Sequence, residues 1–459
     1  MKAGRYLAVI GPLLGILFTI PAVAQAPPDF IDEVLPNGLE VTILPDESYP
    51  VVATQVWYHV GAANETPNTR GYAHLFEHLM FGGTTTHDKR DYWEHHRFYG
   101  GTTNAYTSWD QTVYVSEIPP EGHVGVLRME ADRMVDLKLN QQNLDNEKRI
   151  VTEELRVSTE NSPLDRLATD ALKKVFNDHP YAVMPAGTKA DIAAANLDWA
   201  RDFYRRYYRP KNAHLVIVGP VDGAATLGEV RRVFGALPAE GETPPDPPPL
   251  LGWKTADKVE LREDIPPVEG AVVGFLLPGP NASDAYAIKL MNQLLAWNSI
   301  DPFQIELVVR RKRAVFGMSY AMVLRRGGCL IFASAALPYR REKTAFRYMD
   351  EALAKLGRME WLTDASLLAA KRTLLRHELE ARWYPAQRAN QLGEARWLEG
   401  NTRVAFERRA KIEAVTRADV AAAFEKYVAH GRPIRIYIRP QHVPLWVNMF
   451  GWVYPLVKR

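Results

Sequence analysis

Two histidines and a glutamate near the start of the chain have the residue types and spacing of a metal-dependent hydrolytic site. His74 and His78 are four residues apart in the segment GYAHLFEHLMFGG (71–83), and Glu77 lies between them. Positions i and i+4 of a helix share one face, so both imidazoles can reach the same ion. Glu77 projects toward the same side and can exchange a proton with a water molecule there. The pattern H-x-x-E-H is the inverted form of the zinc motif H-E-x-x-H.

The alternative interpretation is that these are ordinary core or surface histidines. The segment 71–83 is otherwise mostly apolar, and two histidines and a glutamate in such a helix cost free energy unless a ligand satisfies them. A chance match in a chain with 12 histidines among 459 residues is of the order of one in a hundred or less. The metal interpretation is therefore favoured. A catalytic zinc takes three protein ligands and keeps one position open, so a third ligand must come from elsewhere in the chain.

The motif and its surroundings resemble the pitrilysin/insulinase family of zinc peptidases, the inverzincins. The histidine pair is preceded by LPNGLEVTILPD (35–46), as in that family. A glutamate on a later helix, roughly 75 residues beyond the second histidine, completes the metal site in the family. Here EKRIVTEEL (147–155) follows at that distance, and Glu154 comes 76 positions after His78. The resemblance therefore implies zinc as the cofactor, with Glu154 as its third ligand.

The resemblance also implies roles for the neighbouring carboxylates. Glu77 would be the general base, and Glu147 would be a supporting carboxylate that orients a ligand histidine. Glu147 and Glu154 are seven residues apart, so they share one face of a helix. Glu153 is the competing candidate, and it is expected to point away as part of a solvated helical face.

Two further segments bear on substrate binding. Residues 101–119 (GTTNAYTSWDQTVYVSEIP) are similar to the family's active-site edge strand, in which Asn104 and Ala105 would pair with the substrate backbone. Active family members also use an arginine and a tyrosine of the second domain to hold the substrate and the developing oxyanion. Arg310 occupies the matching arginine position, but the tyrosine position falls on Gly317 and Tyr320 is out of register. This departure implies a heterodimer in which a homologous subunit supplies the missing tyrosine.

The order of predicted elements repeats once along the chain. Residues 197–220 and 417–440, which are 220 positions apart, both read as an amphipathic helix, a short polar turn and an apolar strand ending in proline. A strand precedes a helix in each half, with strands at 51–60 and 271–277 and helices near 72–81 and 283–297. The recurrence predicts a duplicated α+β domain, although generic alternation of helices and strands is the alternative. The second of these helices contains no histidine or glutamate, so the second copy is predicted to be metal-free.

The duplication and the family resemblance together predict the architecture. We expect an α+β fold of two homologous α/β-sandwich-like repeats, each a mostly antiparallel sheet covered by helices, which form a cleft. Six prolines between positions 238 and 249 predict an extended linker. The predicted segments are a signal peptide (1–24), a zinc-binding catalytic domain (25–237), the proline-rich linker (238–255), the metal-free domain (256–440) and an apolar tail (441–459).

The first residues have the pattern of an export signal. Lys2 and Arg5 precede an apolar run from Tyr6 to Ile20, and small residues around Ala24 follow. This is typical of a secretory signal peptide that is cleaved after Ala24. A membrane anchor is the alternative, but the run is short for a span of about 20 residues. The expected location is periplasmic or secreted.

Composition narrows the function further. Apolar residues make up 47% and charged residues 24% of the chain, which is the balance of a globular protein. The net charge of +2 falls to about zero without Lys2 and Arg5, so there is no overall positive charge for nucleic-acid binding. The single cysteine, Cys329, cannot form an intramolecular disulfide and is assigned no role. The apolar segment 443–457 is expected to lie at a membrane interface, to bind the partner or to pack on its own domain.

These observations favour a zinc metalloendopeptidase that cleaves peptides or small unfolded polypeptides. One competing interpretation is a non-catalytic structural member of the same fold, which the complete set of His74, Glu77, His78 and Glu154 argues against. Another is a peptide-binding module that keeps zinc for stability. A structural zinc site is usually four-coordinate and rich in cysteine, and one cysteine cannot provide that.

Overall fold

A computed structural model describes residues 26–157, 162–176, 178–239, 245–250, 252–253, 258–263, 268–296, 301–336 and 342–442. The predicted signal peptide, part of the proline-rich linker and the apolar tail from residue 443 lie outside these described residues. The predicted domain boundaries therefore stay predictions. Within the described ranges, no helix combines the length and the apolar character needed to cross a membrane.

The first half of the chain builds a six-stranded sheet with the order β1-β2-β6-β3-β5-β4. Its strands are β1 (Ile31–Val34), β2 (Glu40–Pro45), β3 (Val52–Tyr58), β4 (Thr102–Thr107), β5 (Thr112–Ile118) and β6 (Ala213–Gly219). Its helices are α1 (Tyr72–Leu79), α2 (Lys89–Tyr99), α3 (Pro120–Val135), α4 (Gln141–Leu155), α5 (Pro163–Phe176), α6 (Lys189–Ala194), α7 (Leu197–Tyr207) and α8 (Gly223–Val233). Strand β4 lies at one edge of this sheet and is hydrogen-bonded to β5.

The second half builds a five-stranded sheet with the order β7-β11-β8-β10-β9. Its strands are β7 (Lys258–Glu263), β8 (Glu269–Leu277), β9 (Phe316–Leu324), β10 (Gly327–Ala336) and β11 (Ile434–Pro440). Its helices are α9 (Ala285–Leu295), α10 (Pro302–Gln304), α11 (Glu342–Leu356), α12 (Asp364–Glu380), α13 (Pro385–Glu399), α14 (Val404–Ala414) and α15 (Arg417–Phe424). Two π-helical segments, Ile305–Arg310 and Glu425–Ala429, directly extend α10 and α15.

The two sheets have the same topology. Without β1, the first sheet has the order β2-β6-β3-β5-β4, and each strand of the second sheet occupies the corresponding place. The pairs β2–β6 and β7–β11 are parallel, and the remaining pairs in both sheets are antiparallel. The predicted α+β architecture with two related, mostly antiparallel sheets is therefore confirmed.

Each sheet has one face covered by a helix from the other half. Helix α13 contacts β3 and β6, and its apolar residues join Trp57 of β3 in one buried cluster. Helix α5 contacts β7, and Phe176 packs with Val259 and Ile436 of the second sheet. Strands β3 and β6 are buried at every position because helices cover both faces. The halves are thus packed together by an exchange of helices.

Candidate metal centre

Helix α1 presents its polar residues on one side because its apolar side forms the core. Leu75, Phe76 and Leu79 are almost completely buried against the first sheet and its neighbouring helices. His74 and His78 lie on the opposite side, where about a fifth of each side chain is exposed. The helix contacts α4 and the edge strand β4. The packing of α1 therefore points its two histidines toward the helix that carries the predicted third ligand.

A carboxylate fixes the start of helix α1. Glu65 accepts hydrogen bonds from the backbone N–H of Gly71 at 2.8 Å and of Ala73 at 2.7 Å. The first N–H groups of a helix have no partner within the helix, and the Glu65 side chain supplies one. Glu65 therefore helps to hold the histidine-bearing helix in place. The sequence analysis did not identify this residue, because its bonds span a six-residue loop with no standard capping pattern.

His74, His78 and Glu154 converge at one point. Glu154 Oε2 lies 3.7 Å from His74 Nε2 and 3.5 Å from His78 Nε2. One ligand atom from each of the three residues lies within 4.8 Å of the others. Two atoms bound about 2.0–2.1 Å from a tetrahedral zinc ion are roughly 3.3–3.4 Å apart, so these separations suit such an ion. Among the described residues, this is the one group of three such side chains placed to hold a metal.

The ligand set is accessible from one side. The Glu154 side chain is 51% exposed, whereas the two histidines are held among packed helices. An opening on the carboxylate side leaves room for water or a carbonyl group beside the ion, as a catalytic zinc site requires. The donor set of two imidazoles and one carboxylate is also that of catalytic zinc sites. The residues present therefore fit zinc.

Burial and neighbouring charges set the protonation of these groups. Burial, with a smaller contribution from His78, lowers the pKa of His74 to about 4, so its ring is in the neutral form that binds metals. Burial acts in the same direction on His78, but Glu147 and Glu154 outweigh it and raise that pKa. Burial raises the pKa of Glu77, although nearby hydrogen bonding opposes the shift. A raised pKa brings this carboxylate closer to the working range of a general base.

Glu77 lies between the metal-binding side of α1 and the edge strand β4. Its Oε2 accepts a hydrogen bond of 2.6 Å from the Thr107 hydroxyl at the end of β4. This bond restrains the carboxylate that is predicted to act as the general base. Thr107 was not identified in the sequence analysis. The only indication of Thr107 in the sequence is its place three residues after Asn104 in the predicted edge strand.

Glu147 stands behind His78. Its Oε2 is 3.6 Å from His78 Nδ1, on the side of the ring opposite the nitrogen that faces Glu154. Its other oxygen accepts a hydrogen bond of 2.9 Å from Lys89, the first residue of α2. Burial opposes the shift, but His78 and Lys89 together lower the pKa of Glu147. The carboxylate is therefore ionised and lies beside the histidine, and its supporting role stays a prediction.

The neighbouring carboxylate Glu153 points away from the metal-binding group. It forms an ion pair with Arg156 at 2.7 Å, and its side chain is 59% exposed. This agrees with the expectation of a solvated helical face. The two adjacent glutamates of helix α4 therefore point in different directions, since Glu154 faces the histidines and Glu153 faces solvent.

The predicted substrate-binding residues fall in two places. Asn104 and Ala105 lie in the middle of the edge strand β4, and the Asn104 side chain accepts a hydrogen bond from the Ala105 N–H. Arg310 ends a π-helical segment in the second half and lies 3.4 Å from Glu306. Gly317 is buried in β9, and a Cβ there would lie 3.2 Å from a Val308 methyl group.

Tyr320, the out-of-register tyrosine, lies on the other face of β9 from Gly317. Tyr320 lies three positions later in β9, and successive strand residues alternate between faces. It therefore projects from the opposite face, where it is 49% exposed.

Comparisons with known proteins place the chain among peptidases of one family. The model of the insulinase family (peptidase family M16) matches residues 41–184. The model of the peptidase M16 inactive domain matches residues 194–308. The two matched ranges together cover more than half of the chain. The zinc protease PqqE of Helicobacter pylori is 29% identical over 339 residues, which are 72% of this chain and 76% of PqqE.

More distant relatives extend the match along the chain. An uncharacterised zinc protease of Mycobacterium tuberculosis is 25% identical over 406 residues, covering 88% of this chain and 91% of the relative. The crystal structure of a protease from Helicobacter pylori superposes with a TM-score of 0.80 at 24% identity, covering 90% of this chain and 99% of that one. The periplasmic protease PqqL of Escherichia coli superposes with a TM-score of 0.71 at 19% identity, covering 94% of this chain and 51% of PqqL. The chain belongs to the insulinase family, peptidase family M16.

Proposed function

We propose that this chain is a zinc-dependent endopeptidase that cleaves peptides or small unfolded polypeptides in an extracytoplasmic compartment. The observation that carries the proposal is the convergence of His74, His78 and Glu154 within 4.8 Å, with Glu77 on the same helix. Relatives with similar sequences are named zinc proteases. A zinc ion in this group would polarise the scissile carbonyl and acidify a water molecule.

The residues of the chain divide the remaining work. Glu77 takes a proton from the attacking water molecule while the water oxygen forms a bond to the carbonyl carbon. The carbon–nitrogen bond then breaks, and Glu77 delivers the proton to the leaving amine, so the products are a carboxylic acid and an amine. Thr107 holds Glu77 through its 2.6 Å hydrogen bond during both transfers. Glu147 keeps the His78 ring in the orientation that binds metal.

The edge strand supports binding of an extended peptide. One side of β4 pairs with β5, and the strand lies at the end of the sheet order. An edge strand offers N–H and C=O groups for pairing with an added strand. A substrate paired beside Asn104 and Ala105 would pass close to Glu77, because Thr107 of the same strand contacts that carboxylate. Backbone pairing makes modest demands on substrate sequence.

A homologous partner subunit completes the proposed enzyme. The arginine of the substrate-gripping pair is present at 310, but Gly317 occupies the place of its tyrosine. The structure of the first half of PqqL matches over 97% of its length, whereas complete PqqL matches over 51%. This chain therefore has the size of half of that relative, which supports assembly with a second chain of the same fold.

The alternative function is a non-catalytic structural or peptide-binding member of the fold. The second family match is to a domain described as inactive, the peptidase M16 inactive domain. The experiments below therefore also test this alternative. The proposed compartment rests on the signal-peptide pattern at residues 1–24 and is tested by N-terminal sequencing of the exported protein. A mature chain that starts at Gln25 is expected, and retention of Met1 would contradict it.

Metal analysis and peptide cleavage test the proposal together. We expect one zinc per chain, and cleavage of an unstructured peptide that a chelator abolishes and zinc restores. Glu77→Gln should keep zinc and lose cleavage. Glu154→Gln should lose zinc, whereas the adjacent control Glu153→Gln should keep it because that side chain pairs with Arg156. The assays are run with and without a homologous subunit from the same organism.

Each outcome separates the candidate functions. Zinc binding with no cleavage in either condition would favour the peptide-binding alternative. Absence of zinc binding would favour the structural alternative. Normal turnover by Glu77→Gln would show that another group is the base. Full activity of the isolated chain would remove the need for a partner.

A further inference from the structure

Lys89 contacts the carboxylate that supports the metal centre. Its amino group donates to Glu147 Oε1 at 2.9 Å, and the Glu147 side chain is only 6% exposed. The second oxygen of the same carboxylate lies 3.6 Å from His78 Nδ1. A single carboxylate thus bridges a lysine and a predicted metal ligand. Rotation of this carboxylate would disturb both contacts at once.

The position of Lys89 is unfavourable for its own helix. It is the first residue of α2, where the partial positive charge of the helix N-terminus repels a cation. Helix α2 offers Lys89 no acidic partner three or four positions later, since Tyr92 and Trp93 occupy those places. The next residue, Arg90, has such a partner in Glu94 at 3.8 Å. The interaction with Glu147 therefore explains the lysine better than helix stability does.

The backbone just before Lys89 is firmly held. The side chains of Thr84, Thr86 and His87 all contact Asp132 Oδ2 of helix α3. Asp88, the residue before Lys89, accepts a hydrogen bond of 3.2 Å from Lys138. The loop between α1 and α2 is thus anchored to neighbouring elements. The amino group of Lys89 consequently extends from a fixed point to Glu147.

Lys89 also balances charge around the centre. Glu77, Glu147 and Glu154 bring three carboxylates to one small region, and two of them are largely buried. A buried carboxylate costs free energy unless it is paired and hydrogen-bonded. The lysine supplies a positive charge to the most buried of the three, on the side away from His78. With one oxygen paired to Lys89, the other oxygen of Glu147 lies beside His78 Nδ1.

We propose that Lys89 is a positioning residue that holds Glu147 against His78 and thereby raises the affinity of the centre for zinc. This inference rests on the proposed function, because it assumes that His78 binds zinc. It assigns Lys89 no contact with the substrate. Lys89 acts through Glu147, so removal of the lysine should affect the zinc affinity more than the rate of the chemical step.

Zinc affinity of paired variants tests the inference. Lys89→Met keeps the length of the side chain and removes its charge, and Arg90→Met removes a neighbouring charge that does not contact Glu147. The dissociation constant for zinc is measured by competition with a fluorescent chelator, at the same pH and ionic strength for each protein. Lys89→Met should bind zinc roughly tenfold more weakly, the lower end of the loss seen when outer partners of ligand histidines are removed. Lys89→Arg should restore most of the affinity.

Additional measurements distinguish positioning from a general structural effect. Metal-free Lys89→Met should unfold at a lower temperature than Arg90→Met, because it leaves the buried Glu147 carboxylate without its cation, so zinc affinity is compared at a temperature at which both variants are fully folded. At saturating zinc, Lys89→Met should retain its KM for peptide, since the lysine does not contact substrate. Unchanged zinc affinity in Lys89→Met, or an equal loss in Arg90→Met, would overturn this inference alone. Failure of the unsubstituted protein to bind zinc would refute the proposed function as well.

Discussion

Gly393 lies where helix α13 meets the first sheet. A Cβ atom at this position would be 2.2 Å from Trp57 Cε2 and 2.5 Å from its Nε1. The indole cannot easily move away, since Trp57 is 1% exposed and its Nε1 donates to Gln55 Oε1 at 2.9 Å. Gln55 in turn donates to the backbone carbonyl of Ala386 at the start of α13. We therefore expect Gly393→Ala to destabilise the protein.

Two opposing effects determine the magnitude. Replacing a glycine inside a helix by alanine normally stabilises it by up to about 1 kcal/mol. Overpacking of a core costs about 1–3 kcal/mol, and the 2.2 Å approach at Gly393 places this change toward the upper end. The net expectation is a loss of about 1–2 kcal/mol. Helix propensity alone predicts the opposite sign.

Gly228 provides a matched control. It lies inside helix α8, and a Cβ there would meet no atom within 4 Å. Gly228→Ala should therefore stabilise the protein by up to about 1 kcal/mol. Urea unfolding followed by circular dichroism compares both variants with the unsubstituted protein. Adding Trp57→Phe to Gly393→Ala should recover part of the loss, because the smaller ring leaves room for the methyl group. A stabilising Gly393→Ala would refute the packing argument.

Three further changes test other parts of the structure. Arg133→Met should lower the free energy of unfolding in urea by about 3–5 kcal/mol, since it leaves the 2% exposed Glu130 carboxylate without its cation. Burial raises the pKa of Glu269 to about 7. In the folded protein Glu269 therefore holds a proton that it releases on unfolding. The free energy of unfolding should fall as pH rises from about 5 to about 7. Glu269→Gln should flatten that part of the pH–stability curve. Thr107→Val should lower kcat/KM for peptide cleavage roughly tenfold with zinc retained, because a hydrogen bond to the ionised Glu77 is lost.

Controls for these changes follow from the same contacts. Adding Glu130→Gln to Arg133→Met should recover part of the loss, since the unpaired charge disappears with it. Equal stability losses in the single and double variants would contradict the ion-pair argument. A pH–stability curve that is identical with and without Glu269→Gln would show that this carboxyl titrates normally. Loss of zinc from Thr107→Val would place the threonine in metal binding instead of proton transfer.

The helix and strand that carry the site were predictable from local patterns. Apolar spacing around His74 and His78 marked α1, and the resemblance of residues 101–119 to the family's edge strand marked the segment that forms β4 and β5. The recurrence at an offset of 220 residues indicated a duplication, and the matching strand orders of the two sheets agree with it. Local periodicity succeeds here because each element needs one buried side.

The supporting contacts were beyond such patterns. Lys89 reaches Glu147 across 58 positions, and its only local feature is an unfavourable charge at a helix start. Glu65 caps α1 from across a loop, where its carboxylate meets backbone N–H groups that no sequence motif marks. The exchange of α5 and α13 between the halves was also not predicted. An amphipathic helix specifies that it covers an apolar face, but its pattern does not specify which sheet provides that face.

The crossed placement of α5 and α13 makes the two repeats mechanically inseparable. If the two halves were separated, each would lose the helix that covers one face of its sheet. Trp57 would then be exposed to water. Any motion that separated the repeats would break both exchanged contacts. We therefore expect a polypeptide to reach the centre at His74 and His78 without separation of the two repeats.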